Sequence, residues 1–367
     1  MDGIMLLHEK EKAQDLLGRI EGKSPLFICI IATTETAKIP GLSAAGANPE
    51  ITDYTPPADV ELLLLGKCKC IPGVPVTPDG IPTPALISMS TLRLARIPML
   101  VANAGSRVKP MVPFIELGGS PGRDIRSGNA VEKAAEVFQN ASILGKQLAE
   151  TAEYLVVGES IPGGTTTALA VLLAMGFDAK EKVSSSMSTN PHMLKMKTVE
   201  TALRVAQIQL GSLREDPLKA IMHVGDPMMA AAAGLITGAS EKIPTLMAGG
   251  TQMTPILATI AKLNRKILNN VAIGTTRWIA QDSTSDLKGI VSQIARVPIL
   301  VADLNFTPSR YSGLRAYESG VVKEGVGAGG SVIAAIAKNR GLLTVQELIA
   351  EIEKNYETLI GAASKTS

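Results

Sequence analysis

Residues 156–176 read VVGESIPGGTTTALAVLLAMG: an apolar run, a glycine-rich turn, then a helical pattern. A strand, turn and helix in this order is the usual build of a phosphate-binding loop. Against the template G-x-x-x-x-G-K-[ST], the chain has Gly158, Gly163 and Thr165, but Gly164 stands at the lysine position. Glycines let the backbone approach an anion, and the amides and dipole of a helix starting near Thr165 attract negative charge. Thr165, Thr166 and Thr167 add hydroxyl donors. With no lysine to meet β and γ phosphates, the loop suits a single phosphate monoester better than a triphosphate. The plain structural alternative is a tight turn between strand and helix.

Outward from this loop, apolar runs of strand length recur with helical patterns between them: 26–32, 60–66, 98–105, 154–159, 220–225, 244–250, 271–275 and 298–304. Continuous apolar runs imply strands covered on both faces, hence a parallel sheet with crossover helices. The expected fold is α/β, a doubly wound, mostly parallel, Rossmann-like sheet in one continuous domain over residues 1–367. Helical patterns at 4–21 and in the C-terminal segment predict a small helical lobe made from both chain ends, about 1–24 and 343–364. Two long irregular stretches, 33–58 and 106–129, read as functional loops.

Composition narrows the function. The chain has 367 residues, 46% hydrophobic and 19% charged, with a net charge of +2. No long basic run supplies the phosphate-neutralising surface on which nucleic-acid binders depend. The longest apolar stretches fall short of the roughly 20 residues a spanning helix needs, and the first residues lack the pattern of a signal peptide. A cytoplasmic protein with no membrane and no nucleic-acid partner is expected. Cys29, Cys68 and Cys70 fit neither a redox pair nor a zinc knuckle, and His8, His192 and His223 are too few for a histidine-rich metal site.

Further turns repeat the glycine theme. VVKEGVGAGGSVIAAIAKNRG (321–341) places Glu324 before Gly325 and Gly327 and an alanine-rich helix; HVGDP carries Gly225 and Asp226; MAGGTQM carries Gly249 and Gly250. In a parallel sheet such turns gather at the carboxyl edge, where α/β folds bind ligands. Glu324 is either a carboxylate favoured by a helix N-terminus or a general base. Glu159, beside the first loop, would repel an anion unless it faces another part of the ligand.

Taken together, GESIPGGTTTA, NPHMLKMKTVETAL, VGDPMMAAAAGLITGA followed by PTLMAGG, and KEGVGAGG resemble the nicotinate-nucleotide:dimethylbenzimidazole phosphoribosyltransferases of cobalamin assembly, in particular their archaeal-type branch. The resemblance implies an enzyme without metal, ATP or other cofactor, exchanging the nicotinate of nicotinate mononucleotide for a benzimidazole-type base to give an α-ribotide. It implies Glu324 as general base and Glu159 as a second carboxylate near ribose or acceptor. Lys195 would supply the phosphate cation the loop lacks. Gly158, Gly163, Gly164, Thr165 and Thr166 would cradle the phosphate or its ribose, and Gly225, Asp226, Gly249, Gly250, Gly325 and Gly327 would line the rest. A homodimer is implied by the same resemblance. The stretch 306–320, FTPSRYSGLRAYESG, departs from the histidine-containing approach of bacterial members. An aromatic content of 3% argues for an aliphatic, methionine-lined base slot, leaving adenine, phenolic and hydroxybenzimidazole acceptors open. The alternative is a non-catalytic nucleotide-binding or regulatory protein that keeps the phosphate pocket.

Overall fold

The computed structural model describes residues 1–45, 51–77 and 80–361. Eight strands form one open sheet: β1 (Ile4–His8), β2 (Pro25–Ala32), β3 (Met99–Gly105), β4 (Ile115–Glu116), β5 (Tyr154–Ser160), β6 (Thr245–Ala248), β7 (Val271–Thr276) and β8 (Ile299–Ala302). Their spatial order is β1-β8-β7-β6-β5-β2-β3-β4, and every pairing is parallel except β1 with β8. Chain progression runs one way from β2 to β4 and the other way from β5 to β8. Between β2 and β5 lies the topological switch point, where open α/β sheets leave a crevice outside the strand carboxyl ends.

Two apolar clusters cover the two faces. Alternation along β5 sends Leu155 and Val157 into one and Tyr154 and Val156 into the other. Helix Gly164–Ala174 packs in the first cluster and helix Ala328–Lys338 in the second. Each fully buried Val, Leu or Ile in these layers contributes ~1.5–3 kcal/mol.

Six of the eight apolar runs are strands, and two are helices. Residues 60–66 lie in helix Thr55–Leu65, which has prolines in its first turn and the left-handed Gly66 (φ +73°) at its end. Residues 220–225 lie in helix Pro217–Val224, capped by Asp216, whose side chain accepts from the Lys219 amide. Both helices have proline in the first turn and are followed by Gly, the punctuation of helices. Residues 4–8, expected to be helical, form β1, which covers the β8 edge; only Lys10–Ile20 is a helix. That helix and the C-terminal helix Val345–Tyr356 both bury apolar residues in the second cluster. Residues 362–364 of the expected lobe and 46–50 of the first irregular stretch lie outside the described residues. No helix among the described residues is long and apolar enough to cross a membrane.

Candidate active site

A cavity of about 540 Å³ opens at the switch point. Its wall draws on the segment after β2 (42–45), the turn after β5 (160–165), the turn after β6 (250–252) and the turn 324–326. The expected loop is therefore where the fold places ligands. Its helix starts at Gly164, with Gly163 at φ +80° as N-cap. A Cβ on Gly163 would sit 3.0 Å from the Ala37 backbone, so the residue must be glycine for both conformation and space. No side chain caps this helix, which leaves its first amides available to a ligand.

Glu159 and Glu324 reach one cavity because β5 and the 324–327 turn touch through glycines. A Cβ on Gly158 would stand 3.0 Å from the Gly327 Cα, and the Val326 amide donates to the Glu159 carbonyl at 2.9 Å. Neither Gly158 nor Gly327 lines the cavity; they bring together the residues that do. Glu324 is half-buried, and its carboxylate accepts from the Gly325 amide at 3.1 Å and the Gly329 amide at 3.2 Å. Desolvation outweighs these amides and pushes its pKa up to about 8. Glu159 is 2% exposed, accepts from the Ile161 amide at 2.9 Å and receives the Gln252 amide nitrogen. Burial first, then the charge of Asp226, raises its pKa well above the carboxylate range.

A third carboxyl, Asp59, lines the same cavity and was not foreseen. It is 2% exposed on helix Thr55–Leu65, accepting from Thr83 Oγ1 at 2.8 Å and Ser160 Oγ at 2.7 Å. Burial raises its pKa to about 6. Residues 184–186, three serines likewise not foreseen, form another part of the wall. Among the described residues no Lys, Arg or His lines the cavity, and no cluster of His, Cys, Asp and Glu is arranged to hold a metal ion.

Similarity to known proteins agrees with this geometry. Residues 93–277 match the sequence family described as phosphoribosyltransferase. The chain belongs to that phosphoribosyltransferase family. A UPF0284 protein of Sulfolobus acidocaldarius is 49% identical over 352 residues, covering 94% of this chain and 100% of the relative. One of Methanothermobacter thermautotrophicus is 44% identical, covering 91% and 93%. In fold the chain is similar to CobT from Thermus thermophilus, with a TM-score of 0.62 at 16% identity over 92% of this chain and 89% of that one. A nicotinate-nucleotide-dimethylbenzimidazole phosphoribosyltransferase structure from the same organism gives a TM-score of 0.58 at 17% identity, covering 89% and 88%.

Within this family member, Glu159, Glu324, Gly163, Gly164, Thr165, Gly250 and Gly325 line the cavity as expected from sequence. Others do not. Thr166 is buried behind Thr165, its hydroxyl without a partner. Lys195 is fully buried, donating to the Ser184 carbonyl at 2.5 Å and to Asn190 Oδ1 at 3.0 Å. Burial and the neighbouring Lys323 lower its pKa to about 7; its hydrogen bonds hold the serine segment, and it does not line the cavity. Gly225 and Asp226 join two helices, since residues 220–225 are not a strand; Asp226 caps the second helix through the Met229 amide and accepts from Thr167 Oγ1 at 2.5 Å. Gly249 follows β6, its amide donating to the Gly274 carbonyl at 3.0 Å. Of the two irregular stretches, the first contributes wall residues and 106–129 contributes none. Ile71, Pro72, Val74, Pro75, Ile81 and Pro84 give part of the cavity an apolar wall, and no methionine among the described residues lines it.

Proposed function

We propose that this protein transfers the phosphoribosyl group of nicotinate mononucleotide to a ring nitrogen of a benzimidazole-type base, giving an α-ribotide for the lower ligand of cobamides. The observation that carries this reading is Glu324: a carboxyl with a pKa near 8 opens on the same cavity as the uncapped helix start at 163–165. A base with such a pKa is matched to proton transfer near neutral pH.

In this mechanism the 163–165 amides hold the phosphate, favoured by the helix dipole. The hydroxyls of Thr165, Ser185 and Ser186 open on the same space. The acceptor nitrogen's lone pair forms the bond to C1′ as the bond from C1′ to the pyridinium nitrogen breaks. That electron pair neutralises the departing nicotinate ring, and the acceptor's N–H proton passes to Glu324. Positive charge moves from the pyridinium to the ribose in the transition state, and a wall whose described residues include carboxyls and no Lys, Arg or His suits it. Holding both reactants in one cavity supplies on the order of 7–11 kcal/mol in favourable cases.

The test is to incubate the protein with nicotinate mononucleotide and a panel of bases, following nicotinate release and ribotide formation. Glu324→Gln is expected to lower turnover by roughly 10²- to 10⁴-fold while mononucleotide binding persists. Turnover undiminished in that variant would remove Glu324 as the base. Mononucleotide binding without turnover on any base would favour the non-catalytic alternative.

A further inference from the structure

We propose that Asp59 determines which acceptor the enzyme prefers, its carboxylate accepting a hydrogen bond from an amino or hydroxyl substituent on the incoming base. The proposal rests on the phosphoribosyl-transfer reading and extends it to the acceptor's chemistry.

Three observations converge on this residue. First, Asp59 is a buried carboxylate at the cavity wall whose hydrogen bonds are both to neutral hydroxyls, Thr83 Oγ1 and Ser160 Oγ. A carboxylate has about four lone-pair sites, so two donors leave acceptor capacity unused. No cationic side chain among the described lining residues offsets the charge. Second, Asp59 is tied to both segments that flank the general base. Thr83 precedes Pro84, whose ring lies 3.4 Å from where a Gly325 Cβ would stand, and Gly325 follows Glu324. Ser160 follows Glu159, whose carbonyl receives the Val326 amide. Asp59 therefore belongs to the part of the cavity where the acceptor nitrogen must meet Glu324. Third, the neighbouring wall of Ile81, Pro84 and Val326 is apolar and suits a flat ring, and beside it Asp59, held by the hydroxyls of Thr83 and Ser160, presents a charged acceptor that distinguishes one substituent from another.

An acceptor whose ring carries only methyl groups there would cover a buried anion without satisfying it, which is costly. An amino or hydroxyl group in the same place gains a charge-assisted hydrogen bond. A site built around such an acceptor discriminates more sharply than an apolar pocket can.

The experiment compares kcat/KM for adenine and 5-hydroxybenzimidazole with that for 5,6-dimethylbenzimidazole, in wild type and in Asp59→Asn, at saturating nicotinate mononucleotide. Wild type is expected to favour the donor-bearing bases by roughly 10- to 100-fold. The asparagine variant is expected to bring the ratio close to unity while KM for the mononucleotide stays as it was. An unchanged ratio overturns the proposal. So does a rise in mononucleotide KM that is equal for every base, since that would assign Asp59 to the ribose. If Asp59→Asn does not fold, Thr83→Val keeps the carboxylate, removes one of its two anchors and must narrow the same preference. If wild type turns over no base at all, the transfer reading fails separately; equilibrium dialysis of the three bases with mononucleotide present then reads the preference directly, and equal binding overturns it.

Discussion

Among the described residues three carboxyls line one cavity, and their surroundings differ. Glu324 is held by amides of its own turn and by the start of helix Ala328–Lys338, so its pKa settles near 8 in spite of desolvation. Glu159 has one amide and one side-chain donor against full burial and the charges of Asp226, Glu324 and Asp59, which favours its protonated form. If Glu324 is the base, the active form of the free enzyme is the ionised one. We expect kcat/KM to rise about tenfold per pH unit below about pH 8 and to level off above it. A pH profile that is flat from 6 to 9 would assign the proton transfer to another group. Both glutamates were legible in the sequence because each stands beside a glycine-rich turn. Asp59 was not, because it opens an apolar run and nothing local distinguishes a carboxylate at a cavity wall from one in solvent. Lys195 illustrates the converse: the family resemblance implied a phosphate cation there, but the fold surrounds it with Ser184, Asn190 and Lys323.

At the scale of elements, the site depends on two turns whose left-handed positions favour glycine. Gly163 starts helix Gly164–Ala174 with a left-handed φ against the backbone of Ala37, and Gly327 starts helix Ala328–Lys338 with φ +67° beside the Phe27 ring. A side chain in either place carries roughly 1–2 kcal/mol of backbone strain before any clash. The two variants are expected to differ in steady-state kinetics. Gly163→Ala displaces the amides proposed to hold the phosphate and should raise KM for nicotinate mononucleotide with a smaller effect on kcat. Gly327→Ala displaces the turn bearing Glu324 and should lower kcat. The same kinetic signature from both would mean that the two turns do not divide binding from proton transfer. One element was read wrongly because its apolar run lacked periodicity. Helix Thr55–Leu65 is buried around most of its circumference, so its residues carry no 3.6-residue stripe, and only Pro56, Pro57 and Gly66 marked it as a helix.

For the whole molecule, the concentration of buried carboxyls has a thermodynamic consequence. Glu159, Glu324, Asp59 and Asp226 all have pKa values raised above their ordinary ones. A carboxyl of this kind binds its proton more tightly when folded. Its stabilising contribution is complete below the unfolded pKa and is lost as pH rises towards the folded one. Lys195 and the lowered histidines His8 and His192 act with the opposite sign, so a single melting curve mixes several groups. Comparing Glu159→Gln with wild type cancels those shared contributions. The melting temperature of the variant, relative to wild type, is expected to increase from pH 5 to pH 7. Calorimetry giving the same difference at both pH values would show that Glu159 ionises normally in the folded protein.

Local signals in the chain determined the α/β class, the parallel sheet, the phosphate-type turn and two of the three acidic residues at its rim. Those features follow from runs of apolar residues and from glycines, whose conformational effects act over a few neighbouring positions. The tertiary structure alone decided that Asp59 and the serines 184–186 would complete the wall, that Lys195 would be buried behind it, and that β1 would close the edge of the sheet. These outcomes depend on strand order and on which helices meet at the β2–β5 switch point, contacts between residues far apart in the chain that no local pattern encodes.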